Sequence, residues 1–487
     1  MKNKYLLLLI PFLVASCSSN GNNSSSNHQG GSEVGYIKED VTIEFLCLTD
    51  SHYQKELTRM ISEFKSVEPH VTVTLTNPPA AGNYSVLEKT VISGFFKEDY
   101  PDIVQCYPDN VVQYIDRGYA LEMNQYLNHA EYGLKEEKDD YIASFLLEGT
   151  GYQKEGTYSL PFCKSTELLY YNADILIDLD LSSVDNSINE GKPLDKDYLN
   201  NLTWEELFNK LCPAIKTYNV SHPIYEDDVD SGIFTYDSDE NFFITLAKQY
   251  GYGYTSKAPD GKGSVDFNNE GMKNLMKTLK SAHDNGYLQT RGSYSDYVSD
   301  LFTKNKALFT VSSTAGLEYN YDANNPFLVG VAKIPHAENK EYVSINQGPS
   351  VCLLDHKDDN RSLAAYLFWK HLTNASNCSS WAVKTGYMGI RNSSYQSEEY
   401  KKHLVVNESD YEKYTDYLYD LALADNLHKI SEVSSSTFNT AVFRGSSNAR
   451  TNVGLLLTAC LKENDLDNKI DTLFSDSYEN TITYLGS

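Results

Sequence analysis

The chain has 487 residues, enough for two or three domains, and its 41% hydrophobic and 22% charged residues put a buried core within reach and exclude wholesale disorder. Acids outnumber bases 67 to 41, giving a formal net charge of −26. That balance excludes nucleic acid as a partner, since a phosphate backbone needs clustered Lys and Arg, and it equally excludes adhesion to an anionic bilayer by charge.

The chain opens Met1-Lys2-Asn3-Lys4 and continues as a short apolar run from Tyr5 to Val14. Two lysines before such a run form the layout of a secretory signal peptide, and the run is too short to span a bilayer. Val14-Ala15-Ser16-Cys17 follows and resembles a bacterial lipobox, whose cysteine becomes the lipidated N-terminus. A plain secretory signal with an incidental cysteine is the bland alternative. Ser18 to Gly35 is rich in Ser, Asn and Gly, a composition that behaves as a flexible tether. The expectation is a signal peptide over 1–16, then a lipidated Cys17 and tether over 17–40, with acyl chains holding the body at a membrane face.

In the body, Val41 to Leu48 alternates as a strand. Leu57, Met60, Ile61 and Phe64 recur at helical spacing. Val71 to Leu75 alternates again, Val86 to Phe95 carries a second helical pattern, and Pro101 to Cys106 is a third strand. Strand, helix, strand, helix, strand predicts a parallel sheet covered by helices, with ligands beyond the carboxyl ends of the strands. Those ends are Thr49-Asp50, Asn77 onwards and Tyr107-Pro108-Asp109. Thr203 with Glu206 three residues later reads as a capping box, and further helices are expected over Glu270 to Asp284 and Asn360 to Leu372.

Seven cysteines follow Cys17, and no two form C-x-x-C, so zinc-ribbon and thioredoxin chemistry has no support. Most sit in apolar runs and read as buried free thiols. There is no P-loop, no G-x-S-x-G elbow and no H-E-x-x-H pair. The acidic run Glu226-Asp227-Asp228-Val229-Asp230 fails the EF-hand spacing and reads as a solvated loop. No metal, cofactor or catalytic residue is expected.

Three segments carry a resemblance. Tyr158-Ser159-Leu160-Pro161-Phe162 leads through Ser165-Thr166 to Leu169-Tyr170-Tyr171-Asn172-Ala173-Asp174. Val265-Asp266-Phe267-Asn268-Asn269-Glu270 leads a helix. Trp381 is followed by Thr385-Gly386-Tyr387-Met388-Gly389-Ile390-Arg391, with Gly389 where proline is usual. In this order and spacing they resemble the extracellular solute-binding proteins of bacterial ABC importers, in the carbohydrate-binding family, from about Val41 to the C-terminus. Within that family the chain is most similar to glycerol-3-phosphate-binding proteins.

The resemblance implies a periplasmic-binding-protein-like α/β fold: two α/β lobes, crossing hinge strands and an interlobe ligand cleft. The expected lobes are 41–160 plus 352–395 and 166–345 plus 396–487. Crossings are expected near Leu160 to Thr166, Val343 to Leu354 and Gly389 to Tyr395. It also implies ligand-binding positions. Tyr84 matches a lining tyrosine after the second strand, Asp109 falls near an acid after the third, and Ser165 matches the hinge serine. Tyr236 lies where the subgroup has a tryptophan platform, Ser313 matches a ligand-binding serine, and Gly348 a glycine loop. Tyr387 matches the tyrosine of the T-G-Y motif and Arg444 a ligand-facing arginine. Tyrosine can stack on the C–H face of a sugar and still bond a hydroxyl, and arginine suits a phosphate or carboxylate. The implied function is a monomeric, lipid-anchored protein on the outer face of the cytoplasmic membrane. It would capture a carbohydrate-type ligand (sugar, oligosaccharide or glycerol phosphate) for ABC permease subunits. A surface glycan hydrolase and a binding protein for a non-sugar solute are the alternatives.

Overall fold

The computed structural model describes residues 35–49, 51–78 and 84–485. The expected signal peptide, Cys17 and the tether up to residue 34 lie outside the described residues; the end of the expected tether is not free, since Ile37 is buried and the Tyr36 and Ile37 amides donate to Glu68.

The first elements follow the hydrophobic pattern. β1 (Val41–Leu46) buries Ile43, Phe45 and Leu46. Helix Ser51–Val67 buries Leu57, Met60 and Phe64, one stripe at three- and four-residue spacing. β2 (Val71–Thr76), helix Tyr84–Phe95 and β3 (Ile103–Cys106) complete the series, and β2 and β3 flank β1 in parallel. Asp102 fixes the entry to β3. It is 2% exposed, accepts the Glu44 amide at 2.8 Å, and takes both arms of the Arg361 guanidinium at 2.8 Å. A bidentate pair of this kind sets geometry as well as energy.

The chain leaves this sheet through β4 (Leu160–Pro161) and enters a second sheet as β5 (Glu167–Asn172). There follow β6 (Phe234–Tyr236), the separate hairpin β7 (Thr255–Lys257) and β8 (Gly263–Val265), β9 (Leu288–Thr290), β10 (Phe309–Ser313) and β11 (Val329–Lys333). It returns through β12 (Ser344–Ile345) to β13 (Ser350–Leu353), and β14 (Thr437–Phe438) later pairs with β12. The first sheet has the order β2-β1-β3-β13-β4 and the second β11-β5-β10-β6-β9. Each is parallel on one side and antiparallel where a crossing strand enters. β13 arrives from the opposite lobe, so it runs against β3. This is a two-lobe, periplasmic-binding-protein-like α/β fold.

Thr203 accepts the Glu206 amide at 3.1 Å, but Glu206 receives the Tyr198 hydroxyl instead of returning to the cap, so half of the expected box forms. Helix Glu270–Asp284 has the expected bounds, and helix Asp359–Leu372 starts one residue early, capped by Asp358. The seven body cysteines are free and buried.

Two crossings run side by side. Ser165 and Gln347 exchange backbone hydrogen bonds, each at 2.9 Å, and the Cys163 amide donates to Pro349 O at 3.0 Å. The Thr166 hydroxyl donates to Ile345 O at 2.8 Å. Between them the Lys164 side chain is 0% exposed; its ammonium donates to Glu148 at 2.7 Å and to Gly348 O at 2.9 Å. Glu148 also accepts the Ser350 hydroxyl at 3.0 Å. One lysine thus ties helix Ala143–Glu148 of the first lobe to both crossings. Gly348 has φ +83, and a Cβ there would stand 2.1 Å from Cys163 O, so only glycine lets the strands approach this closely.

The third crossing is displaced from Gly389–Tyr395. There the Ile142 amide donates to Ile390 O at 3.0 Å. Arg391, 3% exposed, reaches Glu137, Tyr141 and Thr373, all in the first lobe. Helix Glu398–Lys402 still packs on helix Ala375–Thr385. The chain reaches the second sheet only with helix Tyr414–Val433, which lies against β11. The arginine that ends the T-G-Y motif is a first-lobe anchor, and that holds the segment back.

Replacing Lys164 by Met leaves Glu148 buried without its countercharge. The expected loss in urea unfolding is about 3–5 kcal/mol, and the Lys164→Met, Glu148→Leu double variant is expected to recover most of it. Equal losses in the two proteins would show that the cost does not come from a stranded Glu148 charge.

Candidate ligand cleft

Between the lobes lies a cavity of about 1310 Å³. It opens where strand ends and helix starts converge. Tyr107 and Asp109 follow β3, Asp237 follows β6, and Arg291 follows β9. Helices Pro108–Asp116, Asp239–Tyr250 and Ser446–Lys462 all begin at its wall. Their first turns carry Asp109, Asp239 and Glu240. Carboxylates there offset the partial positive charge of the helix starts.

The first-lobe wall carries two tyrosines among polar residues such as Glu88, Asp109 and Asn110. Tyr84 and Tyr107 meet edge to face with ring centroids 4.6 Å apart. The second-lobe wall is polar, with Asp237, Glu240, Asn241, Gln347 and Arg450. Arg450 donates to the Asn241 side-chain oxygen, and its charge acts across the cleft on Tyr107 and Asp109. Asp109 accepts the Ser446 hydroxyl, a direct contact between lobes. Gln153 donates to Asp260 O at 3.3 Å and Lys257 to Gly151 O, further contacts between the lobes.

Burial pushes the Asp109 carboxyl above its ordinary range, against the pull of Ser446 and Arg450. Burial also pushes up Glu88, with Asn110 opposing. Asp237 is raised from 3.8 to about 6, mainly by burial, with Arg291 pulling it down and Glu240 and Asp239 pushing it up. Its Oδ1 has no hydrogen-bond partner among the described residues. Asp239 is different: it accepts from Thr290 at 2.7 Å, the Gly292 amide at 2.8 Å and Thr458 at 3.0 Å. Its acceptors are occupied, and it braces the wall.

Of the positions named from sequence, Tyr84 and Asp109 line the cavity. The other six are not among the described residues that line it, although Tyr387 acts electrostatically on Tyr84 and is acted on by Tyr107. Ser165 and Gly348 are buried in the crossings. Tyr236 is 0% exposed, stacked on Phe242 at 4.2 Å, and donates to Glu167 at 2.5 Å, so it is a core residue. Ser313 caps the helical turn after β10, accepting the Ala315 amide at 3.2 Å. Tyr387 packs on Tyr53 and Trp381. Arg444 pairs with Asp116 at 3.3 Å beside a separate hollow. Arg450, one and a half turns further on, is the arginine at the cleft. Gly445, with φ +91, starts the helix immediately after Arg444, so Arg444 stays outside it. Sequence reasoning missed Tyr107, Asn241, Gln347 and Arg450. Tyr107 was signalled by its place at a strand's carboxyl end. The other three had no local signal.

A family model described as bacterial extracellular solute-binding protein matches residues 59–406. Comparison with curated protein sequences finds no match. Among solved structures, UgpB from Mycobacterium tuberculosis in complex with glycerophosphocholine is similar with a TM-score of 0.69 at 15% identity, over 92% of this chain and 98% of that one. The cyclic alpha-maltosyl-1,6-maltose binding protein from Arthrobacter globiformis gives 0.66 at 15%, over 92% and 99%. The substrate-binding protein Lmo0181 from Listeria monocytogenes, in complex with cycloalternan, gives 0.66 at 13%, over 92% and 100%. Among the described residues no helix is long and apolar enough to cross a membrane.

A carboxyl whose folded-state value is raised binds its proton more tightly when folded. It adds stability below its unfolded value and loses it as pH rises through the folded one. Asp237 is therefore expected to contribute a fall in unfolding free energy between pH 3.8 and about 6. Urea unfolding across that window checks this. Asp237→Asn is expected to flatten the slope, and an unchanged slope would contradict the assignment.

Proposed function

The chain belongs to the family of bacterial extracellular solute-binding proteins, and from that premise we propose that it captures an uncharged, polyhydroxylated carbohydrate in the interlobe cleft and delivers it to ABC permease subunits. It is a binding protein, not an enzyme. One observation carries the choice of solute: a cleft of about 1310 Å³ in which Tyr84 and Tyr107 stand among carboxylates and amides contributed by both lobes. A sugar ring needs both kinds of group. Its C–H face rests on Tyr84 or Tyr107, and its hydroxyls donate to carboxylates such as Asp237. A hydroxyl buried without a partner costs about 1–3 kcal/mol, so a polyol needs the carboxylates and amides that line this cleft. The volume exceeds the roughly 300–1,000 Å³ of a drug-sized pocket, which favours an oligosaccharide over a single sugar.

The phosphate-ester reading loses one of its supports: Arg444, the arginine expected to meet the phosphate, stands outside the cleft beside Asp116. Arg450 is in the cleft, but Glu240 and Asp109 offset its charge. Glu88, Asp237 and Asp296 add further negative charge to the lining, against Lys89 and Arg291. An anion entering this field gains little. The two sugar-binding proteins among the similar structures agree with this reading, while UgpB with glycerophosphocholine keeps a phosphate ester as the second one.

Closure of the lobes over the solute is the proposed signal to the permease. Cys17 is proposed as the lipidated residue, anchoring a monomer to the outer face of the cytoplasmic membrane.

Thermal melting with maltotriose, a cyclic glucose oligosaccharide, glycerol 3-phosphate and an oligopeptide tests the solute class. A neutral oligosaccharide at 100 times its Kd is expected to stabilise by about 2.7 kcal/mol. A shift with glycerol 3-phosphate or the peptide alone would overturn the reading. For the anchor, Cys17→Ala is expected to move the protein from the membrane fraction to the medium and to abolish incorporation of labelled palmitate. Incorporation that persists would contradict a lipid at Cys17.

A further inference from the structure

β7 and β8 form a hairpin of their own, outside both main sheets. Its turn is the run Ala258-Pro259-Asp260-Gly261-Lys262. In such a run proline presets one φ, the aspartate side chain accepts an amide two residues on, and glycine supplies a positive φ. The Gly261 amide donates to Ala258 O at 2.9 Å, Asp260 Oδ1 accepts the Lys262 amide at 3.1 Å, and Gly261 has φ +83. The Ala258 amide closes the turn on Lys262 O at 2.8 Å, and the Ser256 and Ser264 hydroxyls share a hydrogen bond at 2.6 Å across the strands. At the base, Val265 packs on the core of the second lobe, and Phe267 is buried in it. The sequence therefore builds a well-braced finger rooted in the second lobe.

The finger lies on the first lobe. The loop that receives it is itself pinned: Tyr152 is buried, its hydroxyl shares a hydrogen bond with Ser159 at 2.7 Å, and the Tyr158 amide donates to Gly149 O at 3.0 Å. Lys257 donates to Gly151 O, and Gln153 donates to Asp260 O at 3.3 Å. A Cβ on Gly261 would stand 2.3 Å from Gln153 Cγ, so the turn backbone rests directly on that side chain. Nearer the base, a Cβ on Gly263 would stand 2.0 Å from the Phe443 ring. Phe443 follows Val442, which is buried in one apolar cluster with Val104 and Tyr158 of the first lobe. The hairpin thus grips the lobe junction at its tip and at its base. Gly151, Gln153, Lys257, Asp260 and Phe443 are not among the described residues that line the cleft.

These contacts join different lobes, so rotating the lobes apart breaks them, and no solute takes part in them. A contact present in one of two conformations shifts the population toward that conformation by its own free energy. We propose that the β7–β8 hairpin is a clasp that biases the two lobes toward the closed form by itself, so that the affinity of the cleft is set in part by residues that no solute touches. A solute that completes the closure then has less of it to supply, whatever its chemistry.

Small-angle X-ray scattering on the full chain in solution, with no solute added, tests the clasp. Lys257→Ala combined with Gln153→Ala removes both hydrogen bonds to the receiving loop. The radius of gyration is expected to rise above the wild-type value as the lobes spend more time apart. Gly263→Ala acts by another route: it removes no hydrogen bond but sets a methyl group against the buried Phe443 ring, and it is expected to raise the radius as well. A double variant with the wild-type radius would overturn the proposal. If the double variant fails to fold, Gly263→Ala is judged by the same criterion. Because no solute is present, the outcome does not depend on which solute the cleft takes.

Discussion

The Lys164 ammonium lies buried between Glu148 and Gly348 O, and the arrangement of both lobes depends on that contact. Removing two charges from water costs several kcal/mol each, and good geometry with extra hydrogen bonds offsets it. Here the extra bonds come from Gly348 O and the Ser350 hydroxyl, so the pair is stable only when both crossings are in register. A slip of one residue would strand a charge. An apolar core could hold the crossings together but would not fix their register so tightly. The site is closed further by Trp369, whose indole donates to Pro161 O at 3.0 Å.

From this fixed joint the rest follows. The two sheets are aimed at each other, so the carboxyl ends of β3, β6 and β9 face one gap. Helix starts bring backbone N–H groups there, and acids in the first turns offset them. The wall is therefore rich in acceptors while staying close to balanced around Arg450. One apolar cluster holds Phe45 and Phe368 of the first lobe together with Tyr170, Val331, Leu427 and Ile430 of the second. None of these residues lines the cleft. The lobes share packing elsewhere and leave the cleft polar, which is what a water-soluble guest needs.

Much of the fold was legible. Period-two and period-3.6 patterns located β1, β2 and the helices between, because one face of each element is buried. Two crossings were legible through the resemblance carried by residues 158–174 and the loop at Gly348; the third was not, because Arg391 anchors its segment to the first lobe. The site was less legible. Arg444 and Arg450 belong to one short stretch, and only the helix start at Gly445 decides which faces the cleft. Tyr236 was read as a platform because it lies where the resembled subgroup has a tryptophan; the β6 pleat instead turns it inward toward Glu167. Asn241 and Gln347 are ordinary amides in sequence. They acquire meaning only when the chain brings residues 167, 241, 347 and 450 together, and no local pattern encodes separations of that length.

The most direct measurement is a crystal structure of the chain grown with a mixture of neutral oligosaccharides. The account predicts an intact sugar between the lobes, one ring face on Tyr84 or Tyr107 and hydroxyls on Asp237 and Arg450. A cleft filled by the protein's own side chains, or a sugar bound elsewhere or found cleaved, would contradict it.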